Sequence, residues 1–234
     1  MLFVGKRAHW HVYDPDRADW GERFPKPKAM SHDGCYFTLT CTPTPAGVVC
    51  WTHDGRLFRF DTRRRDWDEL KLRGKLPGSV VDNSTVVHDS KRDRLLFFRK
   101  PYGDRVRYDG TLHAVDLKTL EVTTLRPKGI KGAADIPYLC QIRYDPEHDL
   151  LLVGGTLPPG PDGGRRTPAY DPAANRWVSL HLSGDDPNGK SGRNVSLGLM
   201  HDARRKLFWA VDARSQVFVL RLDPTTADVR PLAE

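Results

Sequence analysis

Tyr170-Asp171-Pro172-Ala173-Ala174-Asn175-Arg176-Trp177 is the stretch on which the fold turns, because both of its ends recur along the chain. An apolar residue followed by Asp closes a short apolar run five times, at Tyr13-Asp14, Phe60-Asp61, Val115-Asp116, Tyr170-Asp171 and Leu222-Asp223. Seven positions beyond each apolar residue stands another: Trp20, Trp67, Val122, Trp177 and Val229. The aspartates are separated by 47, 55, 55 and 52 residues. Asp can hydrogen-bond the backbone ahead of it and Pro presets φ, so the residues between the two apolar positions read as a turn. Each unit therefore predicts a β-hairpin whose flanking side chains pack across the pair.

A second hairpin precedes the first within the repeat. It shows as Val87-His88-Asp89 leading to Leu95-Leu96-Phe97-Phe98, as Arg143-Tyr144-Asp145 leading to Leu150-Leu151-Leu152-Val153, and as Met200-His201-Asp202 leading to Leu207-Phe208-Trp209. The run 150–153 is apolar throughout, which fits a strand covered on both faces. Two hairpins make a four-stranded antiparallel sheet, and no stretch carries a capped helical period. An interval of about 40 to 50 residues matches one propeller blade. A β-sandwich gives no reason for five matching positions. The expectation is one all-β domain, a β-propeller of about five blades with approximate modules 1–28, 29–78, 79–132, 133–188 and 189–234.

With strands lettered a to d from the axis outward, the last unit reads as complete, with strands at 196–200, 207–211, 217–222 and 229–232. The first holds only b (Leu2-Phe3-Val4-Gly5), c (9–13) and d (19–24), and lacks its innermost strand. Closing a ring removes aggregation-prone sheet edges. This start therefore predicts a ring completed by further blades or by a partner strand.

The composition agrees with many short strands joined by turns. Hydrophobic residues make up 38% and charged residues 29%, with 20 Gly and 18 Pro. The net charge of +7 favours anionic partners, but the signs are interleaved, as at Asp93-Arg94 and Asp104-Arg105. A basic excess without a basic stripe does not point to nucleic acid. No run approaches membrane-spanning length, and Met1-Leu2-Phe3-Val4-Gly5-Lys6 is too short in its apolar part for a secretory signal. Cys35, Cys41, Cys50 and Cys140 form no Cys-x-x-Cys pair, which argues against zinc and leaves free thiols or an oxidised pair among the first three open. No cofactor motif is present.

Leu152-Val153-Gly154-Gly155 followed by Tyr170 and Trp177 resembles the kelch pattern of a diglycine after the second strand and then Tyr and Trp at fixed separation. Tyr13 with Trp20 repeats the second half, while other modules replace the diglycine with Phe97-Phe98 or Trp209-Ala210. The resemblance implies a kelch-type propeller similar to the central domain of galactose oxidase. It also implies that the d-to-a and b-to-c loops share one rim, where ligands bind near the axis.

The long loops are 71–83, 99–110, 126–138, 154–168 and 183–194. Loops on a rigid scaffold concentrate function, and Arg suits carboxylates and phosphates. The candidate ligand-binding rim comprises Arg73, Lys75, Arg105, Arg107, Tyr108, Lys128, Lys131, Tyr138, Arg165, Arg166, Lys190 and Arg193. A copper-radical oxidase requires two His, two Tyr and a Cys, but His88, Tyr144 and His201 occupy repeated hairpin positions that suit a structural task. Glycosidase chemistry requires two facing carboxylates, and nothing pairs any two of Asp82, Asp109, Asp135, Asp162, Asp185 and Asp186. The expected function is a non-catalytic binding or scaffold module for a protein or carbohydrate ligand. The alternative is a propeller hydrolase, lyase or oxidase acting on a carbohydrate.

Overall fold

A computed structural model of the chain describes residues 2–6, 9–14, 16–25, 27, 30, 40–79, 84–100, 108, 110–130, 142–154, 166–185, 198–212, 215–223 and 228–232. Its elements are all β-strands. The first sheet holds β1 (Leu2–Lys6), β2 (His9–Asp14) and β3 (Asp19–Pro25). The second holds β4 (Thr40–Thr44), β5 (Gly47–Trp51), β6 (Leu57–Asp61) and β7 (Asp66–Leu70). In the third are β8 (Ser84–Asp89), β9 (Arg94–Arg99), β10 (Leu112–Asp116) and β11 (Val122–Leu125). The fourth contains β12 (Ile142–Asp145), β13 (Leu150–Val153), β14 (Arg166–Asp171) and β15 (Arg176–His181). The fifth contains β16 (Met200–Asp202), β17 (Leu207–Val211) and β18 (Val217–Leu220). A last strand, β19 (Asp228–Pro231), adds to the fourth sheet beside β15.

Within each sheet the strands run antiparallel in chain order, and the inner strands β4, β8, β12 and β16 lie side by side. This is a β-propeller arrangement of four blades. A fifth blade is not confirmed: among the described residues the first sheet has the expected three strands without an innermost one, and it meets the second sheet through its outermost strand, β3. Phe24 on β3 packs with its ring centroid 5.3 Å from that of Phe60 and joins a cluster of Met30, Cys50, Phe58 and Trp67.

The seven-residue spacing has a simple physical origin. Tyr13 stands directly opposite Trp20, Phe60 opposite Trp67, Val115 opposite Val122 and Tyr170 opposite Trp177. The three aromatic pairs place their ring centroids 5.2, 5.0 and 5.3 Å apart. Between the paired residues the Asp side chain closes the turn. Asp61 accepts from the amides of Arg63 and Arg64, Asp116 from those of Lys118 and Thr119, and Asp171 from those of Ala173 and Ala174. Four residues after the Asp the backbone turns left-handed, at Ala18, Arg65, Leu120 and Asn175, with φ between 47° and 58°. The a-to-b turns after Asp89, Asp145 and Asp202 repeat this at Asp93, Asp149 and Lys206. One turn design thus serves both hairpins of a blade.

Alternate residues of each strand face opposite neighbours. Leu95 and Phe97 pack back onto Trp51 and Leu57 of the second sheet, whereas Leu96 and Phe98 pack forward onto Leu151, Tyr170 and Trp177 of the fourth. Leu150 and Leu152 continue forward onto Phe208 and Ala210. Each large side chain so buried is worth about 1.5–3 kcal/mol. The core is therefore a series of sheet-to-sheet layers.

One expectation is corrected. The stretch 229–232 does not complete the fifth sheet: β19 pairs antiparallel with β15, with Leu180 opposite Val229 and Ser179 opposite Arg230. Leu222 explains the diversion. It is buried among Leu150, Val178 and Leu180, which draws the chain leaving β18 onto the fourth sheet. The innermost strand expected at 196–200 is β16 and starts at Met200; residue 196 lies outside the described residues.

Candidate ligand rim

Of the twelve rim residues singled out from the sequence, Arg73, Lys75, Tyr108, Lys128 and Arg166 are described. Arg105, Arg107, Lys131, Tyr138, Arg165, Lys190 and Arg193 lie outside the described residues.

Arg73 and Lys128 occupy equivalent places. Each sits three residues beyond an outermost strand, where the chain crosses to the next sheet and forms a parallel bridge to its outermost strand. The Arg73 amide donates to the Leu120 carbonyl at 2.8 Å, and the Val122 amide donates to the Arg73 carbonyl at 2.8 Å. One blade on, the Lys128 amide donates to Asn175 at 3.1 Å, and the Trp177 amide donates to Lys128 at 2.8 Å. A glycine follows each basic residue with a positive φ, +113° at Gly74 and +88° at Gly129. A Cβ on Gly129 would meet the Trp177 carbonyl oxygen at 2.3 Å. Each of these two crossings is therefore a backbone clamp that favours glycine, and the sequence carries it as Arg73-Gly74 and Lys128-Gly129 at one spacing beyond Trp67 and Val122. Ser183-Gly184 repeats the spacing beyond Trp177 and the left-handed φ without the close approach.

The clamp sets Arg73 and Lys128 on the outer wall, beside the tight turn that opens the next blade's outermost strand. Their side chains and that of Lys75 are exposed, and among the described residues none of the three forms an ion pair. Tyr108 differs: it is 3% exposed and stacks edge-on to Trp177, with centroids 6.0 Å apart. The Trp177 indole N–H donates to the Gly110 carbonyl at 3.3 Å, so the return of the 99–110 loop is pinned beneath that ring. Arg166 opens β14, half-buried and opposite His181.

The a-to-b turns hold a charged network that sequence reading did not find. Asp89 is fully buried and accepts from Arg92 at 3.2 Å and from Arg94 at 2.9 Å. Arg92 also reaches the next blade, donating to both oxygens of Asp149 at 2.9 and 2.7 Å. The Tyr144 hydroxyl donates to Asp149 at 2.8 Å. The Arg92 hydrogen bonds hold the Asp149 carboxyl below its ordinary range, whereas burial followed by the bond to Asp149 pushes the Tyr144 phenol up. The next junction is built alike: His148 contacts Asp145 at 2.5 Å, His201 approaches it from the fifth sheet at 3.8 Å, and Lys206 donates to Glu147 at 2.7 Å.

His88, Tyr144 and His201 share one repeat position, the residue before the turn Asp. Two of them address the left-handed residue of their own turn, His88 to Asp93 at 3.8 Å and Tyr144 to Asp149. In the fifth sheet that residue is Lys206, and His201 turns to Asp145 instead. A recess of about 220 Å³ at this junction is lined by Glu147, His148, Arg205, Lys206, Arg221 and Asp223. His148, Lys206 and Arg205 are already engaged there, by Asp145, Glu147 and Asp202. Lys206 with Glu147 and His201 with Asp145 join the two blades, whereas the His148–Asp145 and Arg205–Asp202 contacts close their own turns.

The chain matches no protein-family model and no curated protein.

Proposed function

We propose that the chain is a binding or scaffold propeller that recognises an anionic protein or carbohydrate surface through its long connecting loops. The observation that carries the reading is the repeated crossing. Arg73 and Lys128 are fixed by backbone bonds at equivalent places on successive blades, yet their charged ends remain exposed and unengaged among the described residues. A rigid backbone presenting unneutralised cations has little ordering cost to meet on binding. By contrast, the charged groups of the a-to-b turns are engaged by one another, within a turn or, as at Arg92–Asp149 and Lys206–Glu147, between blades. A kelch-type label is supported by Tyr170 opposite Trp177 and by Gly154, buried directly after β13.

The test is charge reversal. Arg73→Glu, Lys75→Glu and Lys128→Glu combined are compared with Arg204→Glu on the β16–β17 turn, for binding to a sulfated polysaccharide and to an acidic peptide over a range of salt. The reading expects the triple variant to lose about tenfold or more in affinity for one of the two probes, with a flatter salt dependence, and the control to keep wild-type affinity. Equal affinity of all three proteins for both probes overturns it.

A further inference from the structure

We propose that Cys41 and Cys50 are a disulfide-forming pair, oxidised by low-molecular-weight disulfides, which staples the innermost strand of the second sheet to its neighbour. β4 and β5 are joined by the two-residue turn Pro45-Ala46, and their register runs Thr44 opposite Gly47, Pro43 opposite Val48, Thr42 opposite Val49 and Cys41 opposite Cys50. Pairs along an antiparallel ladder alternate between hydrogen-bonded and non-hydrogen-bonded. Pro43 has no N–H to exchange, so its pair takes the non-hydrogen-bonded place, and the cysteine pair two residues on takes it too. Side chains approach most closely there, with a Cα separation of about 4.5 Å that lies within disulfide reach. The two Sγ atoms stand 2.6 Å apart, and both cysteines are free thiols.

The two sulfurs differ in access, and this orders the chemistry. Cys41 is exposed, while Cys50 is fully buried beside Met30 and Phe58, where the first sheet meets the second. The Cys41 thiolate attacks one sulfur of oxidised glutathione, forms a mixed disulfide and releases one glutathione thiolate. Cys50 then gives its proton to solvent, attacks the Cys41 sulfur and expels the second glutathione. Two protein thiols are oxidised to one disulfide, and one glutathione disulfide is reduced to two thiols. Burial and the neighbouring Cys41 push the Cys50 thiol up, which suits it to the resolving step, where the sulfur it attacks is held beside it.

The test equilibrates the whole chain with oxidised glutathione, alkylates the remaining thiols and digests with chymotrypsin. Cleavage after Leu39 and Trp51 isolates residues 40–51, which carry Cys41 and Cys50 without Cys35 or Cys140. The expected result is that this peptide loses two hydrogens and takes no alkyl group, that the melting temperature rises by several degrees until reductant is added, and that Cys50→Ala stops at the mixed disulfide on Cys41. Two alkylated cysteines in 40–51, a persistent mixed disulfide in the wild-type chain, or a link from either sulfur to Cys35 or Cys140 overturns the proposal.

Discussion

The guanidinium of Arg92, at the β8–β9 turn, grips both carboxylate oxygens of Asp149, at the β12–β13 turn, at 2.9 and 2.7 Å. Fifty-seven residues separate them in sequence, so this bond joins consecutive blades through their inner turns. Arg92 also supports Asp89, which is 0% exposed. The Arg92–Asp149 pair is only part-buried and Asp89 keeps its bond to Arg94, so losing Arg92 costs less than the ~3–5 kcal/mol of a fully buried pair, while replacing both partners by apolar groups is often neutral. At about 2 kcal/mol for the lost charge-assisted bonds, Arg92→Met should lower the melting temperature by about 6 °C, at roughly 2–4 °C per kcal/mol for a chain of this size. In a double-mutant cycle with Asp149→Leu the two changes should couple by about 1–3 kcal/mol. Additive losses would show that the clasp carries no energy of its own.

The same carboxylate sets an acid limit. Its folded value lies below its unfolded one, so the stability it contributes is present above the unfolded value of about 3.9 and is lost as pH falls through the folded value. Thermal melts taken from pH 6 downward should fall below about pH 4, and Asp149→Asn should be less stable at pH 6 yet lose less on acidification. Parallel curves for the two proteins would remove Asp149 as the source.

The crossing clamp makes a comparative prediction. Gly129 and Gly184 share a left-handed backbone, at φ +88° and +86°, but a Cβ at Gly129 would strike the Trp177 carbonyl at 2.3 Å, while one at Gly184 meets nothing within 4 Å. Gly184→Ala should cost about 1 kcal/mol from backbone strain alone, and Gly129→Ala about 3 kcal/mol or more. Denaturant titration of the two variants checks this, and equal losses would show that the crossing is not a clamp.

β18 has an exposed apolar face, with Val217 60% and Val219 51% exposed, and Met200 on β16, in the same cross-strand row as Val219, is 55% exposed. Among the described residues no strand pairs with its outer edge, because β19 lies on β15. Such an edge invites intermolecular pairing. Light scattering should show concentration-dependent association that Val219→Lys reduces. A wild-type chain that scatters as a monomer at high concentration would contradict the prediction.

The hairpins were legible because they are local. Tyr170 and Trp177 face each other across one turn, and Asp171 folds back on amides two and three residues ahead, so the chemistry of eight consecutive residues is sufficient. The left-handed residue four positions after each Asp was equally local, but it is carried by Ala18, Arg65, Leu120 and Asn175, four residue types with no shared signature. Tyr108 reads as a loop aromatic until Trp177, 69 residues later, is seen to cover it. Arg73 and Lys128 read as loop cations, and only the bridges to the next blade place them on the outer wall.

Amino-acid order alone determined the all-β class, the hairpin repeat and the turn chemistry, because each depends on contacts within about ten residues. Tertiary structure decided the rest: four blades with an attached three-stranded sheet, the charged clasps between turns, and the transfer of β19 to β15. That last choice lay between two sheet edges that offer a strand the same backbone hydrogen bonds. Leu222 settled it, because the apolar layer that buries it exists only once the fourth and fifth sheets have packed.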